Sequence, residues 1–176
     1  MDLQAMLGDI LNDDVKNKLN QKTGLDSDQL SQIINLGLPM ILGGMAKNAT
    51  TDEGAESLDN AIAKDHMGTH ILEDADQATA DSKLLEGGKI LGHIFGTDQP
   101  AVSSAVSQKT GIDSQKIMQV LAFLAPLVMA YLAKKKASDS LDKGDLSDIL
   151  TKQTSSDGTS LIDIVGNVIN MFSNKR

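Results

Sequence analysis

The chain of 176 residues contains no cysteine and no tryptophan. Disulfides, thiol nucleophiles and zinc thiolate sites are therefore excluded. Aromatic residues make up 2% of it: Phe95, Phe123, Phe172 and Tyr131. A core with so few rings must be built from Leu, Ile, Val, Met and Ala, which favours helix-on-helix packing over a sandwich or barrel. Basic charge is scarce as well, with 16 Lys and Arg against 24 Asp and Glu, a net charge of −8. Phosphate binding needs a basic face, so the charge argues against a nucleic-acid partner. Long apolar runs are missing too. The longest, VLAFLAPLVMAYLA at residues 120–133, falls short of the ~20 residues that span a bilayer, and Pro126 interrupts it. The opening MDLQAMLGDILNDD places an acid where a secretory signal has a basic region. These absences predict a soluble, cytoplasmic protein with no transmembrane segment.

What is present is an apolar content of 40%, enough for a packed core. A phrase also occurs twice: QKTGLDS at residues 21–27 and QKTGIDS at residues 108–114. Shifting the chain by 87 positions, Gly24 onto Gly111, lays residues 15–49 on residues 102–136 without a gap. Pro39 falls on Pro126, Gln32 on Gln119 and Lys47 on Lys134, with apolar character matched between. Weaker echoes link Leu7-Gly8-Asp9-Ile10-Leu11, Leu91-Gly92-His93-Ile94-Phe95 and Val165-Gly166-Asn167-Val168-Ile169. This pattern predicts an internal duplication. Residues 1–83 form a first helical unit with a polar connector, and residues 84–176 a second with a closing C-terminal helix.

The spacing of apolar residues is helical throughout. Leu3, Met6, Leu7, Ile10 and Leu11 make one stripe, continued by Val15 and Leu19 after a break near Asn12-Asp13-Asp14. Leu30, Ile33, Ile34, Leu38, Ile41, Leu42 and Met45 make another, in which Pro39 should kink or split the helix. Residues 117–133 are apolar nearly all round, as in a helix at the centre of a bundle. Leu161, Ile164, Val165, Val168, Ile169 and Phe172 form a final stripe. The polar stretches 48–57, 74–82, 138–145 and 153–160 read as loops or frayed ends. No alternating β-branched run predicts a strand. Within the repeated phrase, Gly24 and Gly111 suit the left-handed position that ends a helix. Leu25 and Ile112 fold back on the preceding turn, and Asp26 or Ser27, Asp113 or Ser114, cap the next helix. The phrase is helix–turn–helix punctuation, and its second helix carries too few cations to enter a DNA groove.

No catalytic constellation emerges. Ser and Thr are plentiful, but there are only three His, and none has a nucleophile at a suggestive spacing. Paired acids are common, yet none lies in an apolar setting that would raise its pKa. Gly87-Gly88-Lys89 and Gly43-Gly44 lack the strand and Ser/Thr of a phosphate loop. They read as helix boundaries or points of close helix approach. His66 and His70, in Asp65-His66-Met67-Gly68-Thr69-His70 with Glu73, Asp74 and Asp76 downstream, have the i, i+4 spacing of metal ligands on a helix. Gly68 between them favours a turn instead. His93 has no partner nearby in sequence. The Met residues, among them Met40, Met45, Met118 and Met129, fit core filling, and also an adaptable groove for a partner helix or chain end.

The stretch GGKILGHIFGTDQPAVSSAVSQKTGIDSQKIMQVLAFLAPLVMAYLAKK at residues 87–135 resembles the bacterial YidB-like family, domain of unknown function 937. So does Lys64-Asp65-His66-Met67-Gly68. The resemblance implies an all-helical fold and supplies no activity and no catalytic residues. The expectation is an all-α, multihelical protein of two tandem related units packed into a compact bundle. Its expected role is a non-catalytic interaction or scaffold protein, needing no cofactor and meeting a protein partner or itself. The alternative is a small-ligand or divalent-metal site at Asp65, His66, His70 and His93. A hydrolase comes last.

Overall fold

A helix that is apolar all round has to be surrounded. In the computed structural model, residues Ser114–Asp139 form that helix and most of the other elements wrap it. The structure describes residues 3–63 and 70–152, together with 163, 166, 167 and 170 near the C-terminus. The elements run α1 (Leu3–Ile10), α2 (Asp13–Thr23), α3 (Ser27–Asn48), α4 (Asp52–Ala61), α5 (Ala75–Ala78) and α6 (Asp81–Phe95). A 3₁₀ turn (Gly96–Asp98) then leads to α7 (Gln99–Thr110), α8 (Ser114–Asp139) and α9 (Lys143–Thr151). There is no strand among the described residues, and the fold is an all-α bundle.

Helix α8 buries Ile117 and every residue from Val120 to Ala133. A fully buried Leu or Ile side chain contributes about 1.5–3 kcal/mol relative to leaving it in water. By length and hydropathy α8 would pass for a membrane span, longer than the apolar run alone suggests. Yet 83% of its most apolar window is buried inside the protein. That apolar surface is already covered by α6, α3 and α7, with α1, α2 and α5 completing the wrap. The α6 crossing depends on Gly87, where a Cβ would stand 1.5 Å from the carbonyl oxygen of Ala122. Gly87, and not its neighbour Gly88, is therefore a point of close helix approach inside α6. The helix begins at Asp81 rather than near residue 88, which puts His93 in its last turn. The expected boundary after residue 83 falls within α6, and one apolar cluster draws side chains from both sides of it.

Both copies of the repeated phrase are turns between helices. Gly24 has φ 70° and Gly111 φ 72°, the left-handed region that side chains with a Cβ avoid. Each glycine amide donates back four residues, to Asn20 O (2.9 Å) and Ser107 O (2.8 Å). The phrase's Thr does more than end the helix. Thr23 and Thr110 donate their hydroxyls to the carbonyls of Leu19 (2.6 Å) and Val106 (2.8 Å). The same hydroxyls accept from the amides of Leu25 (3.4 Å) and Ile112 (3.2 Å). Leu25 and Ile112 are buried. Asp26 caps α3, accepting from Gln29 N at 2.8 Å, and Asp113 caps α8, accepting from Gln115 N at 2.9 Å. Ser27 and Ser114 are the first residues inside those helices.

Two expectations change. Stretch 48–57 is not a loop: α3 runs to Asn48, and Thr51 caps α4 by accepting from Gly54 N at 3.1 Å. Asp74 likewise starts α5, and Asp142 starts α9 in a reciprocal cap with Asp145. Polar residues suited to caps resemble loop residues in a composition count, so these helix starts look like connectors in the sequence. Pro39 does not split α3, which is continuous across it. The lost hydrogen bond is offset by the burial of Leu38, Met40 and Ile41 around it. Finally, Asp65, His66 and the apolar stripe 161–172 lie outside the described residues. Only Asp163, Gly166, Asn167 and Asn170 are assigned there, all helical.

Candidate functional site

The candidate site is a groove where the C-terminal end of α3 meets α4, α6 and α8. Two glycines set its walls. At Gly44 a Cβ would stand 2.3 Å from Ile94 Cγ2 and 2.8 Å from Phe95 Cε1, so α3 and α6 meet there without a side chain between them. At Gly54 a Cβ would stand 1.8 Å from the carbonyl oxygen of Asn48, which brings the first turn of α4 against the end of α3. Asn48 closes one end. Its Nδ2 donates to the carbonyls of His93 (3.2 Å) and Ile94 (3.3 Å), in the last turn of α6, where carbonyls lack helical partners.

The resulting cavity has a volume of about 560 Å³. Met45 and Met129 come from α3 and α8, Leu58 and Ala61 from α4, and Ile90 and Ile94 from α6. Lys47, Asn48, Thr51, Ser57 and His93 supply the polar groups. No Asp or Glu is among the described lining residues, although the chain as a whole carries −8. Lys136 pairs with Asp59, tying the end of α8 to α4, and Ser147 Oγ of α9 donates to Ala49 O at 2.8 Å. The size and the mixture of apolar lining and few polar groups are those of a pocket for a small molecule or a short chain segment.

The sequence-predicted residues go elsewhere. Gly24, Leu25, Asp26, Gly111, Ile112 and Asp113 build the two turns described above, while Pro39 and Pro126 lie inside α3 and α8. In the metal reading, His66 lies outside the described residues. His70 is exposed and faces Glu73 at 3.8 Å, and His93 is at the groove on another helix. The acids downstream of His70 have structural employment. Asp74 caps α5, accepting from Asp76 N at 3.0 Å and Gln77 N at 3.2 Å. Asp76 pairs with Lys18 of α2. The hydrogen bond to Asp76, and then its charge, hold the Lys18 ammonium above its ordinary range. No group of three or more His, Asp or Glu is arranged to hold a metal among the described residues.

Met45 and Met129, which the sequence marks first as core filling and second as groove lining, are buried in the core at the base of the groove, while Lys47, Asn48, Leu58, Ala61 and Ile90 are not marked at all. The available signal was Thr51-Asp52-Glu53, a cap residue followed by first-turn acids, which announces α4. No curated protein and no solved structure is significantly similar to the chain. A family model does match, over residues 4–135, well over half of the chain: this protein belongs to the family described as bacterial protein of unknown function, DUF937.

Proposed function

We propose that the protein is a non-catalytic, cytoplasmic interaction protein that holds an apolar segment of a partner in the groove between α4 and α6. The observation that carries this reading is the groove itself: a largely apolar cavity of about 560 Å³ beside an otherwise well-covered core. Met45 and Met129 are buried at the base of the groove, and the partly exposed apolar side chains a partner would meet are Leu58, Ala61, Ile90 and Ile94. The hydroxyls support a structural role over a catalytic one. Those of the buried Thr23, Thr79 and Ser103 donate to backbone carbonyls of their own helices or caps, and none is spent on a base.

The absence of cysteine makes the test clean. A benzophenone attached to Ser57→Cys, at the groove, and to Asp28→Cys, at the far end of α3, is photolysed in a lysate of the source bacterium. The expected result is a higher-mass protein adduct from position 57 and none from position 28, lost when Ala61→Trp fills the groove. Light scattering on the purified chain shows whether the adduct partner is a second copy. No adduct at position 57, or equal adducts at both positions, overturns the proposal.

A further inference from the structure

We infer that the groove receives the carboxyl end of a polypeptide: one or two apolar side chains followed by a free terminal carboxylate that meets Lys47. This deepens the interaction reading and rests on it.

Size comes first. A helix with its side chains is about 10–12 Å across and rises 5.4 Å per turn, so one turn occupies roughly 500 Å³. A groove of about 560 Å³ accommodates one such turn or a chain end, and not the several turns of an amphipathic helix. Charge comes second. Lys16, Lys18, Lys22, Lys83, Lys135, Lys136 and Lys152 each pair with a carboxylate. Lys47, Lys89, Lys109, Lys116 and Lys134 pair with none among the described residues, and of these Lys47 alone lines the groove, exposed at its edge. The neighbouring acids do not supply one: Asp52 and Glu53 are outside the lining, and Asp59 is held by Lys136. An occupant with one anionic group complements this edge, and a neutral segment leaves it uncompensated.

The third consideration is the polar rim. Thr51, Ser57 and Asn48 flank the apolar floor, where they can meet the amides and carbonyls of a peptide backbone. An acyl chain with a carboxylate head would have no use for them. A peptide end uses both the floor and the rim.

The test is fluorescence anisotropy with the full chain and labelled pentapeptides ending in two residues drawn from Ala, Val, Leu, Ile, Met and Phe. Each peptide is made as the free acid and as the carboxamide. The expected result is at least one sequence bound tenfold or more tightly as the acid. Lys47→Gln abolishes that preference without moving the melting temperature, and Leu58→Asp weakens the free acid and the amide together. Equal binding of acid and amide across the set, no binding at all, or a preference that survives Lys47→Gln overturns the inference. So does displacement of the peptides by decanoate at lower concentration than by the unlabelled peptides, which assigns the groove to a lipid. In any of these cases an adduct at position 57 that Ala61→Trp removes leaves the broader interaction reading standing.

Discussion

Helices α3 and α8 follow the same turn and carry a proline at matching positions, but they live in different surroundings. Helix α8 is buried without interruption from Val120 to Ala133. Helix α3 keeps Ser31, Gln32 and Asn35 in water. The glycines explain much of the difference. Helix α3 carries its own, at Gly37 and Gly44, and neighbouring side chains enter there: Leu121 at the first, Ile94 and Phe95 at the second. Helix α8 has Leu124 and Tyr131 at the matching positions, and its closest neighbour supplies the missing side chain instead, at Gly87 of α6. The comparison teaches that a close helix crossing needs a glycine on one side only, facing Leu121 at Gly37 and Ala122 at Gly87. The side that lacks it is free to fill the core.

The sharpest way to break this comparison is Gly87→Ala. Its Cβ would meet backbone that cannot turn aside, so unfolding free energy in urea should fall by about 3 kcal/mol or more. The next residue is the control. Around Gly88 a Cβ would meet nothing within 4 Å, so Gly88→Ala should raise stability by about 0.5–1 kcal/mol. Equal effects at the two positions would mean that α6 does not lie on α8 as described. Next in size come the turns. Gly24→Val and Gly111→Val each place a β-branched residue at positive φ and should cost about 1–3 kcal/mol in the same assay. If one loses stability and the other does not, the two turns are not energetic equals despite their shared geometry.

The smallest effect separates the two caps. Asp26 and Gln29 bond reciprocally, with Gln29 Oε1 accepting from Asp26 N at 3.2 Å. The matching residue after Asp113 is Lys116, a donor only, which cannot return the bond. Lys116→Gln should therefore add about 0.5 kcal/mol and Gln29→Lys remove about as much. Changes of the same sign, read from urea midpoints at constant slope, would show that the reciprocal cap is not the difference between the turns.

Much of the fold was legible because helices are written locally. The break between α1 and α2, the two QKTG turns and the central position of α8 follow from stripe spacing, a left-handed glycine and an all-round apolar run. The starts of α4 and α5 were obscured because Thr51 and Asp74 look alike whether they cap a helix or sit in a loop. The groove was hardly legible at all. Met45 and Met129 stood out by type, but Lys47, Leu58 and Ile90 are ordinary residues on three different helices. Nothing in their spacing says that they meet.

By itself, then, the sequence determined what adjacent residues decide among themselves. That covers an all-α chain, free of disulfides and short of aromatic rings, with two equivalent turns and one helix that must be enclosed. Tertiary structure alone decided which helices enclose it, since Gly87 and Gly88 are indistinguishable until Ala122 is placed against one of them. It also decided where enclosure stops. A groove is the space left when helices distant in sequence fail to close, and local propensity carries no record of that space.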